Sequence, residues 1–180
     1  MKILIIGGVA AGTKTAAKLK RADRSAQVTV LTKGKDISYA GCGLPYYVGG
    51  LIADRGELIV NTPQKFADLT GVEVVTGMEA IKVDSAAKTV MAKQVETGAA
   101  SSYAYDKLVI ATGASPILPN IEGIGLDGVF AVRTPDDAIA IRDFVSGRRV
   151  KQAVVIGGGF IGLEMAENLT RRGIKVKLIQ

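Results

Sequence analysis

Short apolar runs, each followed by a glycine turn and then an amphipathic stretch, mark both ends of the chain. Near the N-terminus this pattern predicts a buried strand over Lys2–Ile6, a helix over Ala10–Ala22 and a second strand over Gln27–Leu31. The same order recurs near the other end, with strands predicted over 152–156 and 175–179 and a helix between them. A strand, a helix and another strand form the unit from which parallel sheets are built, so the pattern predicts an α/β fold.

Between these ends the pattern changes to alternating apolar and polar residues. It predicts strands over 72–76, 80–83, 89–94 and 103–111, and a turn over 97–102. The middle strands should form an antiparallel hairpin inserted into a doubly wound parallel sheet. Two helices should begin where a threonine N-cap precedes proline, at Thr62-Pro63 and Thr134-Pro135, and end at Gly71 and Gly147.

The two glycine turns divide the chain into predicted domains. Each turn lies in the strand–turn–helix–strand layout that binds a dinucleotide, with the diphosphate at the helix N-terminus. The second turn, residues 157–162, satisfies the G-x-G-x-x-G pattern in full, whereas Val9 replaces the second glycine of the first turn, residues 7–12. We therefore expect one domain over 1–148, with an antiparallel insertion at 72–106, and the first β-α-β unit of a second over 149–180.

The chain has a single cysteine, Cys42, which stands between Gly41 and Gly43. The glycines should leave its sulfur open to a ring, and Pro45 suits the first turn of a short helix. Free amides at such a turn favour a thiolate over a thiol. A thiolate beside a flat electron acceptor would relay two electrons, but a lone cysteine is equally often a small buried hydrophobe. An intramolecular disulfide is excluded by counting.

Composition and charge narrow the chemistry further. The 180 residues include no histidine, so histidine catalysis is excluded and no metal site is expected. The net charge is +6, but aromatic residues make up only 5% and the charges form no long block, so we expect no nucleic-acid partner. No apolar run reaches the length of a membrane span and no signal peptide is evident. With one cysteine, these features predict a cytoplasmic protein.

The first predicted helix carries a basic face. Lys14, Lys18 and Arg21 are spaced at i, i+4 and i+7, so they share one side of the helix. Three cations on one face suit a ligand with several phosphates, although a solvated basic face explains each of them equally well.

Cys42 with Leu44-Pro45-Tyr46-Tyr47 behind it, about thirty residues after a glycine turn, resembles the single-cysteine branch of the FAD- and pyridine nucleotide-dependent disulfide oxidoreductases. That branch includes coenzyme A-disulfide reductases, persulfide reductases and NADH oxidases. The resemblance covers nearly all of the chain, but the family's chains are much longer. It implies an NAD(P)H-dependent enzyme with FAD and NAD(P)H as cofactors, a homodimer in the full-length protein, and a redox role for Cys42.

The resemblance also implies binding residues. In the first turn and the strands around it, FAD would contact Gly7, Gly8, Val9, Ala10, Ala11, Gly12, Thr32, Lys33, Ala80, Ala111, Thr112 and Gly113. NAD(P)H would contact Gly157, Gly159, Phe160, Ile161, Gly162 and Glu164. A coenzyme A-type thiol or disulfide would contact Lys14, Lys18, Arg21, Ser38 and Gly41. Thr32 stands where such folds usually carry an acid for the ribose, and can make one hydrogen bond instead of two.

Three functions remain open on the sequence. The leading one is a reductase that passes electrons from NAD(P)H through FAD and Cys42 to coenzyme A disulfide or persulfide. The alternatives are an NADH oxidase that uses a Cys42 sulfenic acid, and a fragment that binds FAD without turnover. Gln180, where NADH-specific members would carry an acid, leaves the choice between NADH and NADPH open.

Overall fold

The computed structural model describes residues 1–180, which form two compact units. The first unit comprises Met1–Tyr39 and Ile59–Ala114, and the second comprises Ala40–Leu58 and Ser115–Gln180.

The first unit contains two sheets and two helices. Its strands are β1 (Lys2–Ile6), β2 (Gln27–Leu31), β3 (Glu73–Val75), β4 (Met78–Asp84), β5 (Thr89–Gln94), β6 (Ala100–Ala104) and β7 (Lys107–Ile110). Its helices are α1 (Ala10–Ala22) and α3 (Pro63–Thr70). Four strands form a parallel sheet in the order β3-β2-β1-β7, and the other three form an antiparallel sheet in the order β4-β5-β6.

The central strands of the parallel sheet are buried on both faces, which explains why β1 is apolar throughout after Lys2 and why β2 is apolar except at Gln27 and Thr29. Ile3 and Ile5 face a core that includes Ala16 of α1 and Phe66 of α3. Side chains alternate along a strand, so Leu4 and Ile6 face the opposite way, onto Met78, Val90 and Ala92 of the antiparallel sheet. One face of the parallel sheet is therefore covered by helices and the other by the antiparallel sheet.

The middle of the chain differs from the prediction at two places. The predicted strand over 103–111 is two strands, β6 and β7, and β6 begins inside the predicted turn. The break occurs because Asp106, between the two strands, accepts from the Lys2 amide (2.6 Å) while its own amide donates to the Lys2 carbonyl (2.9 Å). In addition, β3 pairs in parallel with β2, so antiparallel pairing begins at Met78 and not at Val72.

The second unit contains three helices and a two-stranded sheet. They are α2 (Leu44–Gly49), α4 (Pro135–Gly147), β8 (Gln152–Ile156), α5 (Phe160–Arg171) and β9 (Lys175–Ile179). Strands β8 and β9 pair in parallel, and Val154 and Ile156 on β8 stay 58% and 64% exposed. Thr134 caps α4 in a capping box: its side chain accepts from the Asp137 amide, and the Asp137 carboxylate accepts from the Thr134 amide.

The structure confirms the predicted α/β class, with a parallel sheet and an antiparallel insertion. The strand and helix bounds predicted for the first β-α-β unit are those observed. In the second β-α-β unit the two strands have the predicted bounds, and the predicted helix, α5, lies between them. No helix combines the length and the apolar character that crossing a membrane requires.

Candidate functional site

The first glycine turn joins β1 to α1 through close backbone contacts. Gly7 has φ +116°, and its amide donates to the Leu31 carbonyl (2.8 Å). A β-carbon on Gly7 would collide with the Ala111 carbonyl, and one on Gly12 would collide with the Gly7 carbonyl. Helix α1 then begins behind Val9 with neither a side-chain cap nor an acid in its first turn. Its first amides and its positive dipole end therefore suit a diphosphate.

Some of the residues predicted to contact the cofactor pack against this turn, and others are exposed beyond it. The structure brings Gly7 and Ala111 together, because the Ala111 amide donates to the Ile6 carbonyl (2.7 Å) at the same strand ends. Thr112 and Gly113 follow in exposed coil. Thr32 is buried at the end of β2, and its β-carbon would lie 2.8 Å from a β-carbon on Gly8. Thr32 therefore leaves room only for glycine at position 8. Glycine also lets the backbone approach a bound dinucleotide closely.

Lys33 lies on the solvent side of this region. Its Nζ forms an ion pair with Glu79 Oε1 (2.9 Å), and both side chains are largely exposed. Ala80, the next residue on β4, is half-buried. The pair occupies the Lys33 ammonium, which the sequence had assigned to a cofactor contact, and Glu79 was not foreseen because it lies 46 residues away.

The basic face of α1 is exposed as the spacing predicts. Lys14, Lys18 and Arg21 are all solvent-exposed on this helix. Lys20, off this face, instead donates to the Arg24 and Ala26 carbonyls (2.9 and 3.0 Å). Ser38, predicted to contact the same ligand, adopts φ +49°, and its amide donates to the Gly8 carbonyl (3.0 Å).

Cys42 is exposed at the start of a short helix in the second unit. It lies in a 3-10 turn over Gly41–Gly43 that leads directly into α2, with Pro45 in the first turn as predicted. The flanking glycines differ from each other. A β-carbon on Gly41 would meet nothing within 4 Å, whereas one on Gly43 would lie 3.0 Å from Leu58 Cδ2. Only Gly41 therefore leaves open space beside the sulfur, and Gly43 serves packing.

The second glycine turn repeats the geometry of the first. The Gly157 amide donates to the Ile179 carbonyl (2.8 Å), and a β-carbon on Gly162 would collide with the Gly157 carbonyl. Gly159 is the N-cap of α5 and faces open space, with no side-chain cap. Phe160 is 88% exposed and Ile161 is also exposed, so neither is a packing residue within its unit. This turn also suits a diphosphate.

The hydrogen-bond partners of Glu164 and Gly158 in this region were not foreseen from the sequence. Glu164 is half-buried, and its carbonyl accepts from Asn168 Nδ2 (2.8 Å), while its carboxylate has no ion pair. The Gly158 amide donates to Gln180 Oε1 (2.8 Å), which joins the end of β9 to the turn. Gly158 was not assigned to the cofactor site from the sequence, because it is the second position of the turn and the G-x-G-x-x-G pattern specifies only the first, third and sixth.

Other features of the structure lie away from these turns. Two cavities of about 390 and 640 Å³ in the first unit open near Lys2, Gln27 and Ala104, at the amino ends of the strands. Nucleotides bind α/β sheets at the carboxyl ends, so these cavities are separate from the glycine turn. No group of histidine, cysteine and acidic side chains could hold a metal ion.

Comparisons with known proteins agree with this geometry. A family model described as pyridine nucleotide-disulphide oxidoreductase matches residues 1–180. The chain is 35% identical over 178 residues to a coenzyme A disulfide reductase of Staphylococcus haemolyticus, covering 99% of this chain and 40% of that protein. It is 37% identical over 180 residues to an NADH oxidase of Methanocaldococcus jannaschii, covering 100% of this chain and 40% of that protein.

A solved structure gives the same result at the level of the fold. The NAD-dependent persulfide reductase of A. fulgidus matches with a TM-score of 0.94 and 40% identity, over 99% of this chain and 34% of that one. The chain thus spans about 40% of the length of the curated relatives it matches. By this match over its whole length, the chain belongs to the pyridine nucleotide-disulphide oxidoreductase family.

Proposed function

We propose that this chain forms part of a flavoprotein that transfers electrons from NAD(P)H through FAD to Cys42, and from there to coenzyme A disulfide or persulfide. The observation that carries the proposal is the exposed Cys42, the only cysteine, at a helix start beside the open space at Gly41. The names of the relatives, a coenzyme A disulfide reductase and a persulfide reductase, support this substrate class.

Each turn has a separate task in this proposal. The uncapped start of α1, with Gly7, Gly8, Val9, Ala10, Ala11 and Gly12, would hold the FAD diphosphate, and Thr32 would donate one hydrogen bond to the ribose. The start of α5, from Gly157 to Gly162, would hold the NAD(P)H diphosphate. Phe160 and Glu164 would border the nicotinamide. Lys33 reaches FAD only if its ion pair with Glu79 opens.

Cys42 supplies the chemistry on sulfur. Its thiolate attacks one sulfur of coenzyme A disulfide, the S–S bond breaks, and one coenzyme A leaves as a thiolate while the other stays in a mixed disulfide with Sγ. When bound, FAD would supply the two-electron relay by which the hydride equivalent of NAD(P)H reduces that mixed disulfide to the Cys42 thiolate and a second coenzyme A thiol. The coenzyme A thiolate released first takes its proton from solvent. Lys14, Lys18 and Arg21 would bind the coenzyme A phosphates, with Ser38 and Gly41 nearer the thiol.

Three further predictions belong to this proposal. The chain would divide into a FAD-binding domain over 1–148, with its insertion, and the first unit of an NAD(P)-binding domain over 149–180. The full-length protein would be a cytoplasmic homodimer. A second candidate function, an NADH oxidase that uses a Cys42 sulfenic acid, is supported by the similarity to the M. jannaschii NADH oxidase.

The intact mass of the purified chain separates these functions. The chain is measured before and after dithiothreitol, with Cys42→Ser as control. A reducible adduct of the mass of coenzyme A, absent from the Cys42→Ser chain, is expected for the reductase. One added oxygen on Cys42 favours the oxidase. An unmodified sulfur that also fails to form an adduct with added coenzyme A disulfide contradicts both.

The basic face of α1 has its own test. Lys18→Met should slow adduct formation from coenzyme A disulfide by about threefold to tenfold at low salt, because one phosphate contact is lost. Lys65→Met on α3, an exposed lysine away from this face, is the matched control. Equal rates for the two variants would remove the basic face from the substrate site.

A further inference from the structure

Helix α2, which begins two residues after Cys42, is too short to be stable alone. It has six residues, whereas isolated helices below about 12 residues are marginal in water even with favourable sequences. It has no side-chain cap at its start and ends at Gly50 with φ +86°. Its orientation, and with it that of the cysteine turn, must therefore come from tertiary contacts.

Two arginines from other helices of the same unit bind the carboxyl end of α2 and the segment just after it. Arg172, the C-cap of α5, donates from Nη1 to the Val48 carbonyl (3.0 Å). Arg142 of α4 donates to the Ile52 and Ala53 carbonyls (3.1 and 3.0 Å), and its guanidinium lies 4.4 Å from the centroid of the Tyr47 ring. Cations are favourable at this end of a helix, where carbonyls lack partners and the dipole is negative.

Ser146 joins the two arginines. Its hydroxyl donates to the Arg142 carbonyl (2.7 Å) and accepts from Arg172 Nη2 (2.8 Å). The planar fork of Arg172 thus binds α2 through one nitrogen and α4 through the other. Arg142, Arg172 and Ser146 therefore form one hydrogen-bonded group across three helices, which we name the arginine clamp.

Asn168 of α5 fixes the distance between α5 and α2. It is fully buried, its Nδ2 donates to Glu164, and its Oδ1 has no conventional hydrogen-bond partner. A β-carbon on Gly49 would lie 2.8 Å from Asn168 Cβ and closer still to Oδ1. One α-hydrogen of Gly49 is therefore directed at this oxygen in a weak Cα–H···O contact. The two helices can approach this closely only because position 49 is glycine.

We infer that Arg142, Arg172 and Asn168 are positioning residues that hold α2 against α4 and α5 and so set the reactivity of Cys42. None of them touches the sulfur. The importance of this reactivity for turnover rests on the proposed function, but the inference itself concerns only how the folded chain presents its cysteine.

The test measures how fast iodoacetamide alkylates Cys42 in the folded chain, at neutral pH and well below the thermal midpoint. Arg172→Met and Arg142→Met keep much of the side-chain volume but remove the charge and the donors. Because Cys42 lies in the turn that leads directly into α2, a displacement of α2 changes how the sulfur is presented to the reagent, and each variant should change the alkylation rate by about threefold or more. Arg172→Lys and Arg142→Lys, which keep a charged donor, should stay close to the rate of the unmodified chain.

Arg171→Met is the matched control. Arg171 lies on the same turn of α5 but pairs with Glu167 on the exposed surface, so its rate should equal that of the unmodified chain. Gly49→Ala provides an independent variant, because the added carbon pushes α2 from Asn168. Once the helices are apart, Arg172→Met should add little, so the double variant Gly49→Ala/Arg172→Met should be non-additive in the logarithm of the rate.

The inference is overturned if Cys42 is alkylated at the same rate in folded Arg142→Met and Arg172→Met as in the unmodified chain. It is also overturned if Arg171→Met changes that rate by as much as they do. If Arg172→Met does not fold, Arg142→Met and Gly49→Ala decide by the same criterion. Alkylation needs neither cofactor nor substrate. A failed intact-mass experiment would therefore reject the proposed function and leave this result standing, and the reverse also holds.

Discussion

Replacing Gly7 with alanine should destabilise the first unit by more than backbone strain alone explains. At φ +116° an L-residue is strained, which costs about 1–3 kcal/mol. The added β-carbon also collides with the Ala111 carbonyl, a backbone atom that cannot rotate away, and such overpacking costs about 1–3 kcal/mol. Alanine restricts the unfolded chain, which offsets about 0.4–1 kcal/mol. The expected net loss is about 1–5.5 kcal/mol.

Gly98→Ala separates strain from collision. Gly98 also has a positive φ, +75°, but a β-carbon there would lie 3.3 Å from Lys93 Cε, the end of a flexible side chain. This variant should lose only the strain of a left-handed residue, about 1–2 kcal/mol. Gly41→Ala, with open space around it, should leave stability unchanged within about 0.5 kcal/mol.

Native-state hydrogen exchange of the β1 and β2 amides is the appropriate measurement, because it reports on the first unit alone. Urea unfolding followed by circular dichroism should show the same order of variants, with a lower midpoint for Gly7→Ala. If Gly7→Ala loses no more stability than Gly98→Ala, the contact between Gly7 and Ala111 does not constrain the turn, and the steric reasoning is wrong.

Three other predictions follow from single contacts. The Lys2 amide lowers the pKa of the Asp106 carboxyl below its ordinary 3.8, so this contact stabilises the fold above that pH and is lost as the pH falls through the lowered value. Asp106→Asn should flatten the acid limb of a pH–stability curve below pH 3.8, and an unchanged limb would contradict this. Thr134→Ala removes the side-chain half of the α4 capping box and should cost about 1 kcal/mol in a urea titration, whereas Thr134→Ser should cost far less. Val154→Lys with Ile156→Lys should abolish any concentration-dependent sedimentation of the chain, since these residues form its exposed apolar strand face; self-association that persists must use another surface.

The elements themselves were predictable because their signals are local. Lys2–Ile6 is apolar throughout and ends in glycine, and Thr134-Pro135 carries both a cap and a proline at the first helical position. The prediction over 103–111 was wrong in its bounds because the break at Asp106 depends on Lys2, 104 residues away, and local alternation does not record that contact. For the same reason β3 could not be assigned to the parallel sheet before its pairing with β2 was known.

The sequence by itself determined the two glycine turns, the helices behind them and the isolated Cys42, because each depends on residue type within a few positions. Tertiary structure decided which of these features have partners. In the folded chain Lys33 pairs with Glu79. Gly43 is closely packed, whereas Gly41 faces open space. Arg142 and Arg172 bind the end of the helix that follows Cys42 and the segment just after it. The hydrogen bonds among these contacts join residues that lie 46 to 124 positions apart along the chain. Their energies depend on distance in space, which a linear pattern of residues does not contain.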